Sequence, residues 1–257
     1  MNITGDSVAR CCIVPEKALP ARVNQHVAII RSDKNKLNSL YLMYYLVSPY
    51  MQSLMLSFAG SGGTRKALTK TMIEGFGIPV PPLDTQNKIA SILSAYDDLI
   101  KNNNRRIALL EESARQLYHE WFVRLRFPGH ESTRITDGVP EGWESRPLGE
   151  ICFQHKQSVK PSDIAPGTPY IGLAHIPRRS IILSDWDFAD EINSNKFEFE
   201  TGDILFGKIR PYFHKVGFTL CDGVTSSDAI VIRPYDEQHY SYLLMHVSSD
   251  MFVTLAS

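Results

Sequence analysis

The chain has 257 residues, 43% hydrophobic and 21% charged, the composition of a globular protein with enough length for one large core or two smaller ones. Lys and Arg total 27 against 28 for Asp and Glu, so no net field draws the chain to nucleic acid, and any such binding must come from local basic loops or a partner's charge. Four cysteines (Cys11, Cys12, Cys152, Cys221) without a C-x-x-C pair argue against a disulfide framework or a zinc site, and the longest apolar runs, such as residues 40–47, are too short to span a bilayer. The expectation is a cytoplasmic protein with no metal, no cofactor and no membrane partner.

Residues 1–36 read as strands: the runs 11–14 and 27–30 are short, apolar and bounded by turn residues. The vicinal Cys11-Cys12 pair is expected as buried strand packing. Residues 39–58 have helical spacing through Leu42, Tyr45, Leu46, Met51, Leu54 and Met55. A Gly-rich loop follows at 60–66, and the three prolines of residues 78–82 enforce extended backbone.

Residues 85–125 contain neither Pro nor Gly and predict one long helix, with Asp84 or Thr85 able to cap it. Its apolar positions are Ile89, Leu93, Tyr96, Ile100, Ile107, Leu110, Ala114, Leu117 and Trp121. With Asn103 included the steps alternate four and three, a heptad seam that requires a helical partner from another chain or a second copy. Asn103 either fixes register against a polar partner or marks local exposure across 102–104.

Beyond residue 127 strand-and-turn character returns, with strands expected at 170–173, 180–183, 204–206, 216–220 and 229–232 and a helix over 240–256. Self-similarity links the two ends of the chain. Val27-Ala28-Ile29-Ile30-Arg31 recurs as Ala229-Ile230-Val231-Ile232-Arg233, and Tyr41-Leu42-Met43 as Tyr242-Leu243-Leu244. A shift of about 200 residues lays the first 56 residues on the last 52. The overlay predicts tandem related lobes, each incomplete.

The stretch from Gly60 to Ile92 carries Ile78-Pro79-Val80-Pro81-Pro82-Leu83, then Gln86, Ile89 and Ala90. Asp97-Asp98 and Glu120-Trp121-Phe122-Val123 follow, then Pro140-Glu141-Gly142-Trp143 and Leu148-Gly149-Glu150-Ile151. Tyr170-Ile171-Gly172-Leu173, Gly202-Asp203-Ile204-Leu205 and Ser226-Ser227-Asp228 complete the series. In this order the segments resemble the specificity subunits of type I restriction-modification systems. The resemblance implies an α+β fold in which two partial target-recognition domains, each a twisted β-sheet plus helices, are joined by one long coiled-coil-type α-helix. The expected parts are 1–83, the later part of a first recognition domain; 84–126, the spacer helix; and 127–257, the earlier and middle part of a second. The implied partners are double-stranded DNA with a bipartite site, methyltransferase subunits and, through these, the restriction subunit. An antiparallel homodimer through the seam is a further option.

No catalytic signature stands out. Pro81-Pro82-Leu83 lacks the amide and aromatic of an adenine methyltransferase tetrapeptide, Arg65-Lys66-Ala67 breaks a P-loop, and His26, His155, His175 and His214 lack ligand spacing. Candidate DNA contacts are Arg65 and Lys66 in the Gly-rich loop, Arg178 and Arg179 after Pro177, and Lys208, Arg210, Tyr212, His214 and Lys215, where basic and aromatic residues crowd together. Arg10, Arg22, Asn24 and Gln25 are weaker candidates. Two functions follow: a non-enzymatic DNA-recognition subunit that directs methylation and cleavage by its partners, or a scaffold that docks methyltransferase subunits without touching DNA.

Overall fold

A computed structural model describes residues 1–60 and 66–257, which divide into two units, Met1–Asn104 and Arg105–Ser257. The centre of the predicted Gly-rich loop, 61–65, lies outside the described residues.

The first unit is helical. Helix α1 (Ser39–Leu46) is capped by Asn38, whose Oδ1 accepts from the amides of Leu40 and Tyr41. Helix α2 spans Pro49–Gly60 and the short α3 Lys70–Gly75. One helix was expected over 39–58; the chain instead breaks after Val47. Pro49 cannot donate into a continuing helix, and Ser48 Oγ accepts from Met51 N at 3.3 Å to start a new one. The core gathers Leu42, Leu46, Met51, Met55 and Leu68 around Val8 and Ala9.

The expected strands at 11–14 and 27–30 are absent. Among the described residues only isolated bridges form there, Asn2 with Val27 and Thr4 with Ala67. A strand is stable only when a neighbour takes up its amides and carbonyls, and these runs find almost none. Ile13, Val14 and Ile29 are consequently exposed. Nor is the cysteine pair buried: Cys11 is half-buried, donating to Ala9 O, and Cys12 is exposed.

Helix α4 runs over Leu83–Tyr118 without interruption. Its start is set not by Asp84 or Thr85 but by Pro82, whose carbonyl accepts from Thr85 N (2.9 Å) and Gln86 N (3.1 Å). The helix loosens into a π turn at His119–Val123, so the four-three spacing ends at Leu117, and Trp121 lies in wider-pitched backbone. The two halves of α4 belong to different units.

The second unit contains twelve strands, numbered in chain order: β1 (Ile135–Thr136), β2 (Val139–Pro140), β3 (Cys152–His155), β4 (Ser158–Val159), β5 (Pro169–Ile171), β6 (Ile182–Leu183), β7 (Asp187–Phe188), β8 (Lys196–Phe199), β9 (Ile204–Gly207), β10 (Val216–Thr219), β11 (Gly223–Thr225) and β12 (Ala229–Pro234). They form a small β1-β2 hairpin and two five-stranded sheets of order β3-β12-β9-β10-β6 and β4-β8-β11-β5-β7. Side chains alternate across a strand, so β9 sends Leu205 into the core it shares with Phe199, Ile171 and Val231. Ile204 and Phe206 point the other way, onto helices α5 (Tyr240–Val247) and α6 (Asp250–Leu255). A residue with a side chain cannot replace Gly217, where an added Cβ would sit 2.7 Å from Ile181 O across the β10–β6 pairing.

The helix expected over 240–256 is again two helices. Ser249 Oγ accepts from Phe252 N and opens α6. The same break therefore occurs twice, at Ser48 and at Ser249, after eight-residue helices that both carry the Tyr-Leu pair. The helical part of the sequence duplication thus recurs in the structure, whereas 27–30 lack the strand that β12 forms at the matching positions. The chain as a whole is α+β with a long central-sequence helix, as expected.

Candidate nucleic-acid interface

Two segments of the second unit meet at one edge. The first is the turn after Pro177, which precedes β6; the second is the loop 208–215 joining antiparallel β9 and β10. Three non-glycine residues in these segments take left-handed backbone: Arg179 (φ 58°), Arg210 (φ 52°) and His214 (φ 51°). Such geometry is held only where surroundings enforce it.

The enforcement is visible. Arg179 N donates to His214 O at 3.1 Å, and its guanidinium donates to His214 Nε2 at 3.2 Å and pairs with Asp250 at 3.0 Å. Arg115, from α4, donates to Arg179 O at 3.1 Å. The Arg178 guanidinium lies 3.9 Å over the Phe213 ring, and Lys215 Nζ donates to Leu173 O. Of the sequence candidates, Arg178, Arg179, His214 and Lys215 thus brace the loop. Lys208, Arg210 and Tyr212 project from it, each exposed. Sequence reasoning missed Ile209, also exposed on the tip, and Asp250; a lone acid at a helix start gives no sign of the arginine it will meet.

Beside these braces lies a cavity of about 670 Å³ lined by Arg115, His119, Arg124, Arg179, His214 and Asp250 among others. Its arginines are already matched: Arg115 by Glu111 and Glu112, Arg124 by Glu120 at 2.5 Å, Arg179 by Asp250. Charge balance makes it a poor receptor for a free anion.

The remaining basic candidates belong to the first unit. Lys66 is exposed, with its carbonyl accepting from Gly5 N, and Arg65 lies outside the described residues. The weaker candidates Arg10, Arg22, Asn24 and Gln25 are all exposed.

Helix α4 has buried and exposed positions. In each unit a buried polar residue anchors it. Gln86, fully buried, donates to Lys36 O (3.0 Å) and Pro81 O (2.7 Å) and accepts from Asn38 N (2.8 Å). Glu111, 7% exposed, accepts from Ser180 Oγ (2.8 Å) and Ile181 N (3.0 Å). Tyr118 bonds to His246 Nδ1 at 2.8 Å; burial pushes its phenol up to about 12 and pulls the His246 imidazole below its usual value. The seam positions are largely exposed. Tyr96 (63%), Ile100 (58%), Leu110 (68%) and Leu117 (52%) are exposed, Leu93 and Ile107 less so, and Ile89 and Ala114 are half-buried. Asn103 is exposed together with its neighbours. Near the seam, Tyr44 donates to Asp97 at 2.6 Å, a bond that holds its own phenol up to about 12.

Among the described residues, no group of three or more His, Cys, Asp or Glu could hold a metal ion, and no helix is long and apolar enough to cross a membrane.

Residues 6–112 match the family model of the type I restriction modification DNA specificity domain. The chain is similar to the type I restriction enzyme MjaIX specificity subunit of Methanocaldococcus jannaschii, with 27% identity over 186 residues, 69% of this chain and 42% of the relative. It is also similar to the type I restriction enzyme EcoDI specificity subunit of Escherichia coli, with 28% identity over 109 residues, 42% of this chain and 24% of the relative. A solved HsdS subunit from Thermoanaerobacter tengcongensis aligns with 18% identity and a TM-score of 0.36 over 87% of this chain and 58% of that one. The chain spans less than half the length of these curated relatives. These matches make the chain similar to type I restriction-modification specificity subunits, with the match to the DNA specificity domain lying over residues 6–112.

Proposed function

We propose that this chain recognises double-stranded DNA as the specificity component of a type I restriction-modification complex in the cytoplasm, directing methylation and cleavage that partner subunits carry out. The observation that carries the reading is the β9–β10 loop. Lys208, Arg210 and Tyr212 project from a loop whose remaining basic residues lock it in place, and recognition needs donors held rigidly at the right spacing. The net charge of the chain is −1, so affinity must come from this local cluster and fall with salt. The test is fluorescence anisotropy with duplexes of mixed sequence over a salt series. Replacing Lys208 or Arg210 by Gln should weaken binding and reduce the salt slope by about one for each phosphate that the cation neutralised. Affinity indifferent to salt in the wild-type chain would refute the reading.

The seam favours a second role for α4. Exposed Tyr96, Ile100, Leu110 and Leu117 lie in heptad register, which suits a helical partner, either a methyltransferase subunit or a second, antiparallel copy of this chain. If helix docking were the whole function, a methyltransferase subunit would bind while DNA affinity stayed absent in its absence. The domain assignment proposed with this reading is 1–83 for one recognition lobe, 84–126 for the spacer helix and 127–257 for the second lobe.

A further inference from the structure

We propose that the tip of the β9–β10 loop is a preformed wedge that enters between DNA bases. In this assignment Ile209 and Tyr212 touch the bases, and Lys208 and Arg210 hold the phosphates beside them. The inference rests on the DNA-recognition reading above and specifies how the loop engages its ligand.

Three observations point to it. First, the tip is rigid by construction. Left-handed Arg210 and His214 flank a tight turn at Pro211–Phe213, in which Phe213 N donates to Arg210 O and His214 N to Pro211 O. The base of the loop is held by Lys208 N donating to Asp228 O and Gly207 N to Lys215 O. Second, the rigid tip exposes what a folded chain ordinarily hides. Ile209 is 47% and Tyr212 58% exposed, and the Tyr212 ring is backed by Phe213 at 4.7 Å, itself covered by the Arg178 guanidinium. Third, the cations between them are uncommitted. Neither Lys208 nor Arg210 has an ion pair or side-chain hydrogen bond among the described residues, unlike Arg179 and Lys215.

A loop that only clamps phosphates needs the cations and gains nothing from exposed apolar side chains. A surface for another protein would gain from the apolar pair but would leave two cations unmatched. Alternating cationic and apolar groups on a stiff tip suit a ligand whose charged backbone flanks an apolar stack, which is duplex DNA. Insertion must partly unstack a base step, so a duplex already weakened at one step should bind better.

The experiment uses the full chain with two labelled duplexes of roughly 30 base pairs and mixed sequence, identical except for a central mismatch. The wild type should prefer the mismatched duplex by about fivefold or more, the scale of one stacking contact. Tyr212→Ala and Ile209→Ala should lose the preference and Tyr212→Phe should keep it. Lys208→Gln and Arg210→Gln should weaken binding to both duplexes equally. Unchanged melting of the variants by circular dichroism shows that the fold persists. If the wild type binds both duplexes equally, or if Tyr212→Ala keeps the preference, the wedge is refuted while DNA binding stands. If the wild type binds neither duplex, the recognition reading falls and the wedge with it.

Discussion

Gln86 offers the sharpest test of how α4 is fastened to the first unit. Its amide is fully buried and makes three bonds, all to main-chain atoms of Lys36, Asn38 and Pro81. The substitution Gln86→Met keeps an unbranched side chain of similar volume and deletes every one of them. Each such bond is worth about 1 kcal/mol, and the amide of Asn38 is left without its acceptor. Burying thioether in place of amide recovers about 1 kcal/mol, leaving a net loss of about 2 kcal/mol. Local opening should therefore become roughly thirtyfold more frequent. Hydrogen–deuterium exchange by mass spectrometry reads this directly: the Asn38 amide and the first turns of α1 and α4 should exchange faster by that factor. The second unit serves as the internal control and should be unchanged. Exchange at Asn38 within about twofold of wild type would show that these bonds do not fasten the helix, whatever their geometry.

Three further outcomes follow from other contacts. Gly217→Ala drives a methyl group against Ile181 O, so β6 should leave β10 and the second unit should lose about 2 kcal/mol or more, measured as a fall in its urea midpoint. His246 is held below its usual pKa by burial, so its folded value lies under the unfolded one. The stability it contributes is present above about pH 6.5 and is lost as the pH falls through the lowered value. His246→Phe should flatten the pH dependence of stability below about pH 6.5, and an unaltered pH dependence would exclude the imidazole as its source. Finally, Tyr96→Lys with Leu110→Lys should abolish binding of a helical partner in light scattering while leaving the melting temperature unchanged, because neither side chain is buried in the chain's own units.

What could be read from the sequence tracks how local the governing interactions are. Helix α4 was legible because its seam repeats over nine steps and no breaker interrupts it. Strands β9, β10 and β12 were legible because they are apolar on both faces. Strands β4, β7 and β8 were not. Two of them have only two residues, and β8 opens with Lys196, whose buried ammonium donates to Ser194 and lies over the Tyr170 ring. The reverse error arose at 11–14 and 27–30, where apolar runs suggested strands that nothing nearby completes. The doubled helix break escaped notice because a Ser-Pro or Ser-Ser step looks tolerable until its hydroxyl takes a backbone amide. At the candidate interface the residue types were legible and their division of labour was not. Which cation braces the loop and which faces outward depends on Asp250, Phe213 and Leu173, all distant from their partners in sequence.

Buried and exposed positions of α4 also separate two kinds of constraint on one element. Gln86 and Ala90 are buried in the first unit and Glu111 and Tyr118 in the second, whereas the seam residues Tyr96, Ile100, Leu110 and Leu117 are exposed. Changes at the buried positions should cost stability with no direct effect on a partner, and changes at the exposed seam positions should do the opposite. Ala114 and Ile89 are half-buried, and substitutions there should move both readouts together. A helix that served only as internal scaffolding would have no reason to keep Tyr96, Ile100 and Leu110 apolar in water. Exposed hydrophobic residues in sustained heptad register cost solubility unless something covers them, so the register itself argues for a partner along this face.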